Sequence, residues 1–139
     1  MSSSQELYTR LIRTLRPLVS VAHISHLTNR VWIVVGILQA RSIALSQIAL
    51  HIPGDAKAES RVTTVWRRLK NLRVDMWEFY RPVLEQALQG WRAVTATVIP
   101  DGVMVFGDRW QIFRLSLAYA GRALPLGWVV LPRKGLTPM

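Results

Sequence analysis

Along residues 1–90 the apolar positions recur every three or four, and after Trp91 the period changes towards two. Leu7, Leu11 and Leu15 repeat every four, with Tyr8 and Ile12 beside them, while Arg10, Arg13 and Arg16 fall outside that stripe. The pattern predicts an amphipathic helix ended near Pro17. A second helix over 27–40 is apolar on most sides and therefore belongs inside. Ser42 is placed to cap a third over 43–51, stopped by Pro53-Gly54, and a fourth covers 59–70. Asp75-Met76-Trp77-Glu78 is a D-x-x-E capping box opening a fifth helix that ends at Gly90. Pro82 inside it predicts a kink or marks its true first turn.

The stretch 94–99 is short and β-branched, 111–119 alternates with Phe113, Leu115 and Leu117 on one face, and 124–131 is apolar on both faces. Gly107-Asp108 and Ala120-Gly121-Arg122 are turn-like separators. The expected fold class is α+β: a helical region, 1–91, and then three antiparallel strands of a second domain, 92–139. A sheet with a strand apolar on both faces needs covering helices, and none follow in this sequence. The second domain is therefore expected to be cut short.

Composition narrows the class. The chain has 139 residues, half of them hydrophobic and six of them Trp, which is too apolar for a disordered basic tail. It is also too short for two large domains. The absence of cysteine removes thiolate nucleophiles, disulfides and Cys-ligated metals together, and makes a reducing cytoplasm the expected compartment. The longest apolar run, 31–38, is closed by Arg30 and Arg41, far short of the ~20 residues a membrane-spanning helix needs. No basic segment precedes an apolar core at the N-terminus, so no signal peptide is expected. What remains to be explained is charge: 18 Lys and Arg against 8 Asp and Glu, a net +10. Such an excess points to a polyanion, and nucleic acid is the commonest.

Two segments carry that chemistry. Leu45-Ser46-Gln47-Ile48-Ala49 has the character of the first helix of a helix-turn-helix, and the next helix carries Arg61, Thr63, Thr64, Arg67, Arg68 and Lys70, residue types that hold phosphates and reach base edges. The link over 52–58 is longer than the usual turn of that motif, so an ordinary helix with a solvated basic face is the alternative. Binding DNA on this face needs no such motif. Arg61, Arg67, Arg68, Lys70 and Arg73 are the candidate phosphate contacts. His23 and His26 would need two further ligands to hold a metal, and they read instead as ordinary polar side chains. His51 stands at a helix end, where an imidazolium suits the dipole.

After residue 91 only two acids occur, Asp101 and Asp108. Asp101 follows an apolar strand in Val98-Ile99-Pro100-Asp101-Gly102, where its carboxylate would be poised to bind a divalent ion at a sheet edge. Pro-Asp-Gly is equally a common turn sequence. If a hairpin bends at Gly107, Asp101 and Asp108 are separated by about 20 Å of strand at ~3.3 Å per residue and cannot share a metal. If 101–109 is all loop, they can approach.

Asp101-Gly102-Val103, then Gly107-Asp108-Arg109-Trp110, then Leu115-Ser116-Leu117-Ala118-Tyr119-Ala120-Gly121-Arg122-Ala123-Leu124-Pro125-Leu126-Gly127-Trp128 resembles the start of the catalytic domain of bacterial insertion-sequence DDE transposases. The run Tyr-x-Gly-Arg-Ala-Leu-Pro-Leu-x-Trp is its most specific piece. Upstream, the segment from Ala40 through Ala49, Glu59-Ser60-Arg61, Arg68-Leu69-Lys70-Asn71 and Phe79-Tyr80-Arg81-Pro82 are similar to the family's helical N-terminal region. The resemblance covers nearly the whole chain but only the front part of a transposase. It implies an RNase H-like fold for the second domain and Asp101 as the first catalytic, metal-bridging aspartate. Pro100 and Val103 depart from the aliphatic residue and the Thr usual there. Arg122 matches the family's Gly-Arg pair. The implied partners are double-stranded DNA at element ends and a full-length transposase.

The implied reaction is DNA cleavage and strand transfer with Mg²⁺ or Mn²⁺. Phosphoryl transfer through two ions ~4 Å apart needs several carboxylates. The second Asp and the Glu of the family pattern do not occur within this sequence, so the chain alone is expected to be inactive. A non-catalytic DNA-binding module, or an inhibitor of a related transposase, is the alternative expectation.

Overall fold

A computed structural model of the chain describes residues 2–132. Over these residues the molecule is α+β, five α-helices followed by a three-stranded antiparallel sheet, and it divides into two compact units between Gln89 and Gly90. Among the described residues no helix is long and apolar enough to cross a membrane.

The first unit contains α1 (Ser3–Leu15), α2 (Ile24–Ala40), α3 (Leu45–Leu50), α4 (Ala58–Leu69) and α5 (Met76–Ala87). The Ser2 hydroxyl accepts from the Gln5 amide at 3.3 Å to start α1, and Asp75 accepts from the Trp77 amide at 2.8 Å to start α5. The core is built around α2: Leu27, Val31, Trp32, Ile33 and Val35 are buried with Ile48, Ala49, Ile52 and Val65. The α1 stripe of Leu7, Tyr8, Leu11, Ile12 and Leu15 packs onto it, and the rings of Tyr8 and Trp32 stack with centroids 4.2 Å apart. Gly36 lets α3 approach α2. A Cβ there would come within 2.7 Å of Ile48 Cγ2 and 2.9 Å of the Ile48 carbonyl oxygen.

Two helix starts differ from expectation. α2 begins at Ile24, a turn earlier than the apolar pattern, behind His23, whose side chain makes no capping bond. α3 begins only at Leu45. Ser42 is not its cap, because its hydroxyl accepts from the Ala44 amide at 3.1 Å and shapes the turn before the helix. Pro82 lies inside α5, which continues through it. The carbonyl that its missing N–H leaves free belongs to Glu78, in the exposed first turn, where water reaches it.

The second unit contains β1 (Val98–Val105), β2 (Trp110–Tyr119) and β3 (Arg122–Pro132), in that order across the sheet. The first strand therefore starts later than 94–99 and runs through Pro100-Asp101-Gly102, which is not a turn. β1 pairs without interruption from Val98 opposite Leu117 to Val105 opposite Trp110. Pro100 is tolerated because β1 is an edge strand, whose outward positions donate to nothing. The first hairpin turns at 106–109, with Phe106, Gly107 and Asp108 all at positive φ. The second turns on Ala120-Gly121 between paired Tyr119 and Arg122, with φ of 48° and 72°, as a type I′ turn requires. A bulge between Leu115 and Ser116 in the β2–β3 register falls opposite Pro125 and Gly127. The rings of Trp91 and Tyr119 meet edge to face at 5.2 Å.

Candidate nucleic-acid interface

The repeat of α4 places Thr63, Trp66, Arg67 and Lys70 on one face, at i, i+3, i+4 and i+7, with Arg68 beside them. The repeat of α2 does the same for His26, Asn29 and Arg30. These two faces and the segment Asn71-Leu72-Arg73-Val74 line one open groove of about 710 Å³. Among the described residues five that line it are cations, namely Arg30, Arg67, Arg68, Lys70 and Arg73, and none is acidic. Arg67, Arg68 and Lys70 occupy the last turn and cap of α4, where positive charge also satisfies the helix dipole. Trp66, about half exposed, supplies an apolar wall.

Arg67, Arg68, Lys70 and Arg73 make no ion pair among the described residues, so their charge is available to a ligand. Arg30 differs from them in burial, with only 8 % of its surface exposed. Burial holds its pKa below the usual guanidinium value.

Arg61 does not line the groove. Its guanidinium donates to the carbonyl of Ile52 and, at 3.4 Å, to that of Leu50, tying the α3–α4 link to α4. That link spans 51–57, longer than the turn of a helix-turn-helix, and α3 has only six residues. The helix pair is thus not that motif, and four of the five basic residues expected at DNA come together without it. Arg30, His26, Asn29 and Trp66 were not among the expected contacts. For the three on α2 the one signal in the sequence is the 26/29/30 spacing, which becomes meaningful only when α4 lies alongside.

In the sheet, Asp101 stands directly opposite Arg114. Arg114 donates to Asp101 Oδ2 at 2.9 Å, with both side chains about half exposed. Trp128 lies opposite Arg114 on the other side, and the three residues border a cavity of about 310 Å³. Asp108 sits in the hairpin turn at φ 62°, beyond some 13 Å of extended strand from Asp101. Among the described residues no three His, Cys, Asp or Glu side chains gather where a metal could be held. A single carboxylate engaged by a guanidinium does not fit the multi-carboxylate cradle that paired Mg²⁺ ions require. Arg122 opens β3 and is exposed. Comparisons with family models, with curated proteins and with solved structures returned no match.

Proposed function

We propose that the chain is a DNA-binding protein of the DDE transposase kind, in which the helical unit grips the phosphate backbone and the sheet belongs to an RNase H-like domain. The observation that carries the DNA reading is the groove of five cations without a carboxylate. Backbone phosphates supply most of the affinity of such a surface, and each phosphate neutralised adds ~0.9 to the log–log salt dependence. The transposase part rests on the resemblance of residues 101–128, which gives Asp101 the role of first catalytic aspartate. Duplex binding measured from low to moderate salt should fall steeply, and Arg67→Ala with Arg68→Ala should flatten the slope by about two. An unchanged slope would place the footprint on another face.

The ion pair between Asp101 and Arg114 favours a second reading, a non-catalytic DNA-binding module or an inhibitor of a related transposase. Mg²⁺ would have to compete with a guanidinium for the one carboxylate offered. Both readings expect the purified chain alone to leave supercoiled plasmid intact in Mg²⁺ or Mn²⁺, because one carboxylate cannot hold paired ions. Nicking that disappears in Asp101→Asn would overturn that expectation and the module reading with it. Footprinting on terminal inverted repeats tests whether element ends are preferred to other duplexes.

A further inference from the structure

Arg30 is a charge in an unusual place. It projects from α2, the most buried helix, with 8 % of its surface exposed, and it lines the groove. Among the described residues it has no acidic partner and no side-chain hydrogen bond. The groove adds four more cations, so its surroundings repel rather than neutralise it. The stem of Arg30 is packed inside while its guanidinium opens on the groove, since among the described residues no Arg30 nitrogen is a fully buried polar atom lacking a partner. Partial burial lowers its pKa. An anion entering the groove can displace the water at this partly desolvated guanidinium and accept charge-assisted, bidentate hydrogen bonds from it.

We propose that Arg30 anchors a phosphate-binding site in the floor of the groove, with Arg67, Arg68, Lys70 and Arg73 around its mouth. The ligand class is a phosphate oxyanion. Its source is a DNA backbone phosphodiester, and in this the proposal rests on the DNA-binding reading, while a free phosphate presents the same chemistry. The rim cations are exposed or half-buried and attract the polyanion at a distance. Arg30, mostly buried and so held in place by its packed stem, fixes where one phosphate sits. Asn29 and His26, on the same face of α2, add polar groups beside it. The planar guanidinium is the suitable group, since its fork matches two phosphate oxygens where an ammonium presents one point of charge.

The test uses the full chain and two variants, Arg30→Met, which keeps an unbranched stem and removes the charge, and Arg30→Lys. The wild type should melt at a higher temperature in a few millimolar inorganic phosphate than in chloride at equal ionic strength, and Arg30→Met should lose that difference. Without phosphate, Arg30→Met should melt close to the wild type, since the packed unbranched stem is kept. Its duplex affinity should fall about tenfold or more, with the salt slope reduced by about one. Arg30→Lys should keep the slope and recover only part of the affinity. A lower melting temperature of Arg30→Met with unchanged slope and unchanged response to phosphate would make Arg30 purely structural and overturn the site. If the wild type binds no duplex yet shows a phosphate response that Arg30→Met abolishes, the phosphate site stands and the DNA reading falls. If duplex binding is normal and Arg30→Met alters neither slope nor response, the reverse holds.

Discussion

The helical unit and the sheet unit are both rich in apolar residues, yet only the first has an interior. Around α2, nine hydrophobic side chains are buried in one cluster. In the sheet, among the described residues, only Ser116 and Leu117 are buried, while Val103, Phe113, Leu115, Trp128, Val129, Val130 and Leu131 all remain well exposed. The difference lies in layering rather than composition. Helices α1, α3 and α4 each lay a face on α2, so one stripe covers another. A three-stranded sheet is one layer, and its two faces cannot cover each other. Among the described residues the lone buried side-chain polar atom without a partner, Ser116 Oγ, also belongs to the sheet. Stability therefore resides in the helical unit, and the sheet is held chiefly by its ladder and its turns.

The largest expected expression of that contrast is in hydrogen exchange. Amides in 98–132 should open at a free energy lower than those in 27–35 by an amount comparable with a small domain's whole stability, on the order of 5 kcal/mol. Equal protection would break the comparison by showing that the sheet is stabilised by something its exposure does not reveal. Truncation of single side chains sharpens it next. Leu27→Ala, at a fully buried position, should lower the unfolding free energy by about 3 kcal/mol, against less than ~1 kcal/mol for Leu131→Ala, in denaturant titrations followed by ellipticity. A smaller effect is expected at the α2–α3 contact. Gly36→Val must push Ile48 away and should cost roughly 2 kcal/mol, with no such clash at Gly90, where a Cβ would meet nothing within 4 Å. The smallest belongs to the Asp101–Arg114 pair. A double-mutant cycle to Ala should give a coupling below ~1 kcal/mol, because both side chains are half exposed and water competes for them. A larger value would mean that the pair is shielded and that the sheet face carrying it is covered.

Several features were legible from residue order because their causes are local. The heptad-like stripe of α1, the Asp75 cap of α5 and the turn at Ala120-Gly121 depend on side chains a few positions apart. β1 was misjudged for a reason equally physical. Pro100-Asp101-Gly102 has turn chemistry, and only an edge position with eight partners on β2 makes it extended. The cations divided in the same way. Arg67, Arg68, Lys70 and Arg73 lie where a basic helix and the turn after it would put them, whereas Arg61 is consumed by the carbonyls of Leu50 and Ile52.

By itself the sequence determined the succession of helices and then strands, the excess of positive charge and the basic character of α4, since periodicity and composition need no knowledge of distant residues. Tertiary structure alone decided that Arg30 would be a buried groove residue rather than the charge that closes an apolar run. It also decided that Arg61 would be a staple and that Asp101 would face Arg114 across the sheet. Each of these depends on which element packs beside which. A side chain's burial and partners are set by that neighbour and not by its own place in the chain.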